Sequence, residues 1–439
     1  LDPDFYRELK ETVEKFISTQ EINKATLARF EKLWFKNLLL NLSSYLYYQG
    51  VEVLFKAWKD RPVFLIGAGP SLQKQIPLLK KVQNQFLLIA VNTSLPYLLE
   101  KGITPHFVIT VDPQDKVYRY FLPLMQKKPQ QVPVLIAEPT ICPKIVKNYP
   151  GPILFCQVGF LQSWVSQFAP LKGELDMGGS VITAAFSLAR QMEAKPIVFL
   201  GTNMAYTKKT LHFRGAELEK EWLYSQNKTH SLEQQNYDFL KKTKLFPHQG
   251  FDNQPVYTDM RFLTYINWLE KNFRLFPELL VINATEGGVA FKHIKQSTLQ
   301  KVVEETPPVL DIQIHNQDFK SPFFEESYHK FIYTLKAMEN ELPPLKELAK
   351  KGVDVCQKLV SQAKNKREPS LALLKELDEI DKKLSSFSLT QVLSLSLQKV
   401  IQEVYDGIDA LNKEQALTSQ KPDSLQTFTY SLNLYQGIL

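Results

Sequence analysis

PVFLIGAGPSL, residues 62–72, is the stretch that decides the fold. Val63–Ile66 form an unbroken apolar run, which suits a strand buried on both faces. Gly67 and Gly69 follow, then Pro70 and Ser71, and then a helix-spaced pattern. Pro70 suits a first helical turn and Ser71 can help cap it. This is strand, tight glycine turn, helix, the opening unit of an α/β sheet. The backbone N–H groups of such a turn suit an anion. A purely structural strand-to-helix turn would need the same glycines. The third glycine of the dinucleotide fingerprint is missing, and so is the Gly-Lys-Ser/Thr of a phosphate-gripping loop. Ordinary nucleoside triphosphate hydrolysis is therefore disfavoured.

Outward from this unit the same pattern repeats. FLLIAVN (86–92), FVITVD (107–112), VPVLIAE (132–138), GPILFCQ (151–157), PIVFLGTN (196–203) and ELLVINAT (278–285) each read as a buried strand. Helical segments separate them. The expected class is α/β: a central Rossmann-like, mostly parallel sheet with helices on both faces. An N-terminal helical region and a C-terminal helical bundle flank it. The expected domains are residues 1–60, 61–303 and 320–439. EETPPVLDIQIHNQD (304–318) is the expected linker. In the first zone Phe5, Leu9, Val13 and Phe16 carry helical spacing. In the last, Pro343, Pro344, Pro369 and Pro422 punctuate three or four expected antiparallel helices.

Composition sets wide bounds. The 439 residues are 44% apolar and 23% charged, with a net charge of +7. That mild basicity suits an anionic substrate and is too diffuse to argue for nucleic acid. Cys142, Cys156 and Cys356 are widely spaced and odd in number, which supports neither a disulfide framework nor a zinc site and fits a reducing cytoplasm. No apolar stretch is long enough to span a bilayer. FKNLLLNLSSYLYY (35–48) is the greasiest early stretch; interrupted by Lys36, Asn37 and Asn41, it reads as a packing helix. No secretory leader is visible, although the chain begins at Leu1 rather than Met.

Ligands of doubly wound sheets bind beyond the carboxyl ends of the strands, so the polar residues there are the candidates. The second strand ends in Asn92 and Thr93, where a dinucleotide dehydrogenase carries an acid. Asn92 can read a ribose or a base edge, or simply form a turn. Asp112 can be a metal ligand, a ribose contact or a turn residue. Asp115 lies three residues on, which is not the spacing of a paired-acid magnesium motif. DMGGSV (176–181) is a second glycine-gated helix start. Gly178, Gly179 and Ser180 there fit either ligand approach or close helix packing. Gly201, Thr202 and Asn203 end another strand, followed by Tyr206, Lys208, Lys209 and His212, a concentration of groups able to stabilise a leaving phosphate. His248 lies in an expected polar loop, as surface residue or base. Thr285 and Glu286 end the last run before Gly287 and Gly288.

Taken in order, GAGPSL, AVNTS, HFVITVDPQ, GGSV, FLGTNMAY, VYTD and INATEGG resemble the motility-associated factor (Maf) flagellin glycosyltransferases, which share a domain type with the 6-hydroxymethylpterin diphosphokinase MptE-like proteins. The resemblance covers about residues 30–300. The central region is also similar to bacterial sialyltransferases that use CMP-sialic acid. Gly67, Gly69, Pro70, Ser71 and Leu72 match their nucleotide turn, with Ala68 where they carry Asn. Asn92 matches an Asn that holds CMP. Gly179 and Ser180 fall on a Ser-Gly helix start in reversed order. Tyr206 and His212 fall on two tyrosines that bond the departing phosphate. The sialyltransferase base falls on Gln254, with His248 further upstream. The resemblance implies transfer of a pseudaminic, legionaminic or sialic-type nonulosonic acid from a CMP donor to Ser/Thr of flagellin. It implies His248 or His212 as base and no required cofactor, a divalent metal being left open. A pterin diphosphokinase using ATP, or a non-catalytic nucleotide-binding scaffold, are the alternatives.

Overall fold

The computed structural model describes residues 26, 29–157, 162–206, 217–224, 226–227, 231–309, 312, 319–365, 367–396 and 424–439. The chain divides into two compact units. One comprises residues 1–36, 159–170 and 325–439; the other comprises 37–158 and 171–324. The expected first zone is thus shared between the units. The helical spacing from Phe5 to Phe16, and Pro422, lie outside the described residues.

The larger unit holds an eight-stranded sheet. Its strands are β1 (Val63–Ile66), β2 (Leu87–Val91), β3 (Phe107–Thr110), β4 (Val134–Ala137), β5 (Ile153–Phe155), β6 (Ile197–Leu200), β9 (Val281–Asn283) and β10 (Lys295–Gln296), in the order β10-β9-β6-β1-β2-β3-β4-β5. Every pairing is parallel. All seven expected strands are present, because each is a continuous apolar run that both faces of the sheet can bury. β10 has two residues, too short to read from pattern.

Strand alternation splits the core in two. Val63, Leu65, Ile89, Phe107 and Phe199 face the helices Val181–Gln191 and Met260–Leu275. Phe64, Ile66, Leu88, Val198 and Leu200 face the helices Leu72–Val82 and Leu299–Glu305. Ala184, Ala185 and Ser187 are buried where Val181–Gln191 lies on the sheet, and these small side chains allow a close approach. Helices cover both faces, and the α/β architecture stands.

The stretch before β1 is helical over residues 37–47 of this unit. The two asparagines that break its apolar run are its anchors. Asn37 Nδ2 donates to Pro113 O and Thr140 O, each at 2.9 Å. Asn41 Nδ2 donates to Pro139 O and Ile141 O, each at 2.9 Å. The helix therefore straps the loops that leave β3 and β4.

Two expectations are corrected. The stretch around His248 is not a loop but an antiparallel hairpin, β7 (Leu245–Gln249) with β8 (Pro255–Asp259). Pro343 and Pro344 do not end a helix: both lie inside the 41-residue helix Phe324–Lys364. Buried Met338, Leu345, Ala349 and Val355 on either side of them hold it in place, so packing outweighs the hydrogen bonds that proline removes. In the smaller unit, Gly352 of this helix lies against the Tyr435 ring, where a Cβ would come within 2.3 Å of it. The Tyr435 hydroxyl in turn donates to Asp381 of Leu371–Ser386. The cysteines Cys142, Cys156 and Cys356 are free and buried. Among the described residues no helix is long and apolar enough to cross a membrane.

Candidate functional site

β1 to β5 run outward in one direction, and the chain then returns to place β6 on the other side of β1. The strand order reverses between β1 and β6, and crevices for ligands open at the carboxyl ends of such a pair. The loops that meet there are 67–71, 201–203 and 285–288.

Close backbone approach explains most of their glycines. A Cβ on Gly67 would lie 2.7 Å from Gly201 O, and one on Gly69 2.1 Å from Asn203 Oδ1. Gly201 and Gly288 both have positive φ, and Gly288 sits against the Asn203 backbone. The turn's donors are used internally. Gly67 N–H donates to Leu200 O at 2.8 Å, Gly69 N–H to Gly201 O at 2.6 Å and Leu72 N–H to Gly69 O at 3.1 Å. Ser71 donates its N–H to Asn203 Oδ1 at 3.2 Å and its hydroxyl to the same oxygen at 2.7 Å. In this arrangement those four N–H groups are not an open phosphate cradle. The glycines serve loop-to-loop contact.

Three of the eight buried polar side-chain atoms without protein partners among the described residues lie alongside. Asn203 is 2% exposed; its Oδ1 faces the Ser71 donors, so its Nδ2 points elsewhere, buried and unpartnered. Asn92, also 2% exposed, leaves Oδ1 unpartnered, and Thr110, fully buried, leaves Oγ1 so. These residues end β6, β2 and β3, the strands beside β1 and the next one out. A buried polar group left unpaired costs about 1–3 kcal/mol, so three along one edge of the sheet mark a place built to receive a polar ligand. Asn92 and Asn203 were legible as strand-end polar residues. Thr110 was not singled out, although it is the one hydroxyl in an otherwise apolar run.

The second glycine turn lies at the start of Val181–Gln191. A Cβ on Gly178 would lie 2.4 Å from the Trp268 ring, and Gly179 has φ +86° with the Tyr265 ring nearby. Thr183 Oγ1 accepts from Gly178 N–H at 2.9 Å and from Ser180 N–H at 3.3 Å. Aromatic packing thus accounts for Gly178.

The hairpin is docked on the loops of the crevice. Tyr206 N–H donates to Tyr257 O, Phe251 N–H to Gly288 O and Ala290 N–H to Gln249 O, at 2.8 to 2.9 Å. Thr258 Oγ1 donates to Met204 O at 2.9 Å. His248 pairs with Val256, and Gly250 N–H donates to Gln254 O, so the hairpin brings His248 within two positions of Gln254 across the ribbon. The upstream histidine therefore reaches the neighbourhood of that position through the turn. Tyr206 is buried and donates its hydroxyl to Asp259 Oδ2 at 2.5 Å. Asp259 Oδ1 caps Met260–Leu275 by accepting from Phe262 N–H at 2.8 Å, and Arg261 lies 3.5 Å from Oδ2. Burial, then this hydrogen bond, raises the Tyr206 pKa well above the phenol range, so its proton stays with the Asp259 bond.

Other expected site residues have local partners. Asp112 Oδ1 accepts from Gln114 N–H at 2.9 Å, an Asx turn. Thr285 Oγ1 accepts from Thr202 N–H at 3.2 Å, and Glu286 Oε1 accepts from Leu299 N–H at 3.0 Å. Thr93 is half-buried beside Asn92. Pro70 precedes the cap without a bond to donate. Lys208, Lys209 and His212 lie outside the described residues. Glu138, which the pattern did not single out, ends β4; burial pushes its carboxyl up to about 7 against the opposing Thr140 hydrogen bonds. Among the described residues no group of three or more His, Cys, Asp or Glu is placed to hold a metal ion.

Comparisons with known proteins follow the same ground. Residues 36–209 match the family described as 6-hydroxymethylpterin diphosphokinase MptE-like. An uncharacterized protein of Treponema pallidum (strain Nichols) is 26% identical over 236 residues, covering 52% of this chain and 40% of that protein. A second one from the same organism is 30% identical over 122 residues, covering 24% of this chain and 31% of its own length. The chain thus spans less than half the length of these relatives. The solved structure of the Maf glycosyltransferase from Magnetospirillum magneticum AMB-1 is 15% identical with a TM-score of 0.48, covering 92% of this chain and 54% of that one. The family match takes in β1 to β6 and the motifs from GAGPSL to FLGTNMAY, so the similarity to the MptE-like family lies over residues 36–209.

Proposed function

We propose that this protein is a glycosyltransferase that moves a nonulosonic acid from a CMP-activated donor to Ser/Thr of flagellin, in support of flagellum assembly. The observation that carries the reading is the row of unpaired buried groups, Asn203 Nδ2, Asn92 Oδ1 and Thr110 Oγ1, at the reversal of strand order. A nucleotide offers the hydroxyls, carbonyl and amine that such groups lack. The motif resemblance supplies the cytidine donor and the sugar class.

In this reading His248, on a hairpin docked over the crevice, takes the proton of the acceptor hydroxyl. The freed oxygen forms the new bond to the anomeric carbon. The bond from that carbon to phosphate breaks, and CMP leaves with the electron pair. Tyr206 shapes the pocket wall through Asp259 rather than donating to phosphate. His212 remains the other base, and Lys208 and Lys209 the cations for the leaving group. Gly178–Ser180 lie at the start of the helix on the opposite face.

The family description favours a second reading, diphosphoryl transfer from ATP to a hydroxymethylpterin. A thermal-shift panel of CMP, CDP, UDP and ATP, with and without Mg²⁺, separates the two. Stabilisation by CMP and turnover of CMP-nonulosonic acid on flagellin support the glycosyltransferase. Stabilisation by ATP–Mg²⁺ and none by CMP overturns it. CMP binding without turnover leaves a nucleotide-binding scaffold.

A further inference from the structure

Parallel pairing aligns Ile89 with Phe107, Ala90 with Val108 and Val91 with Ile109. Asn92 N–H then donates to Ile109 O at 3.0 Å, which carries the ladder one step further. The next pair in register is Asn92 beside Thr110. Both side chains are buried, and neither Asn92 Oδ1 nor Thr110 Oγ1 has a hydrogen-bond partner. On the other side of Thr110, its carbonyl accepts from Glu138 N–H at 3.3 Å, so its backbone is fixed on β4.

Two unpaired oxygens side by side define a narrow chemistry. Asn92 Oδ1 can only accept. The Thr110 hydroxyl can donate or accept. The pair does not satisfy itself, so each buried oxygen lacks the hydrogen bond that burial normally demands. One group that serves both at once is an alcohol: its O–H donates to Asn92 Oδ1 while its oxygen accepts from Thr110.

We propose that Thr110, acting with Asn92, is a specificity-determining contact that grips a ribose hydroxyl of the bound nucleotide. The assignment rests on the nucleotide reading above. It adds a residue that reads one hydroxyl of the ribose, and it gives the buried hydroxyl of an apolar strand a task.

The test is isothermal titration of CMP, 2′-deoxy-CMP and 3′-deoxy-CMP against the full chain, Thr110→Val and Thr110→Ser. Wild type is expected to bind CMP about tenfold or more tighter than one of the deoxy forms, a factor worth about 1.4 kcal/mol. Thr110→Val keeps the shape and removes the hydroxyl. It should bind CMP as weakly as that deoxy form and no longer distinguish the two, while Thr110→Ser keeps the distinction. The unliganded Thr110→Val protein should melt no lower than wild type, because the substitution removes an unpaired polar group. Equal loss of CMP and deoxy-CMP binding in Thr110→Val, or unchanged preference for CMP, overturns the assignment while leaving the nucleotide reading intact. Wild type that binds no cytidine nucleotide overturns both.

Discussion

Asn203 Oδ1 accepts two hydrogen bonds from Ser71, one from its hydroxyl at 2.7 Å and one from its N–H at 3.2 Å. This single carboxamide joins the turn after β1 to the loop after β6, and Gly288 seats a third loop against its backbone. The site is therefore assembled around one side chain. Asn203→Ala strips the acceptor from both Ser71 donors and should cost about 1–3 kcal/mol. Urea unfolding measures it. A variant as stable as wild type would show that the loops hold each other without Asn203.

Gly69 tests the same junction by addition. A methyl there would lie 2.1 Å from Asn203 Oδ1 and 2.6 Å from Gly201 O. Both are tied down, so relief needs backbone movement. Gly69→Ala should destabilise by about 1–3 kcal/mol and weaken the proposed CMP binding together, since strain at the junction displaces Asn203. Retained stability with lost binding would instead mean that Gly69 faces the ligand.

Asn41 tests the strap. Its two amide hydrogens satisfy Pro139 O and Ile141 O, and it is buried. Asn41→Asp replaces the donors by a buried carboxylate aimed at two carbonyl oxygens. We expect a loss of at least about 3 kcal/mol by chemical denaturation, more than for Asn41→Ala. An Asp variant no worse than Ala would mean that the helix end opens to water.

These positions also mark how far the sequence could be read. The seven long strands were legible because continuous apolar runs between helices have few other uses. The GAGPSL turn was legible as a turn, but not the partner of its glycines, which is a loop 130 residues away. Asn37 and Asn41 read as interruptions because their acceptors are backbone carbonyls that no pattern names. The β7–β8 hairpin was missed because it is a half-exposed two-stranded ribbon, with Pro247 and Pro255 in place of alternating apolar residues. At the site, strand-end polar residues pointed to Asn92 and Asn203. Thr110 and Glu138 emerge only from burial and the absence or presence of partners.

Glu138 gives the pH prediction. Burial raises its carboxyl from the model-peptide value of 4.5 to about 7, so the folded state holds a proton that the unfolded state releases. Its contribution to stability is complete below about pH 4.5 and is lost as pH rises through 7. The shift is worth about 3 kcal/mol at most. Lys172, buried against the Tyr45 ring and lowered to about 8, acts in a separate window: its penalty is relieved only as pH rises from 8 towards 10.5. Unfolding free energies of wild type and Glu138→Gln between pH 5 and 7.5 isolate the first effect. Wild type should lose stability relative to the variant across that range, because Gln mimics the protonated acid and has nothing to titrate. Parallel curves would mean that Glu138 is solvated and ionised in the folded protein, and would remove it from the set of groups able to exchange a proton near neutral pH at this edge of the sheet.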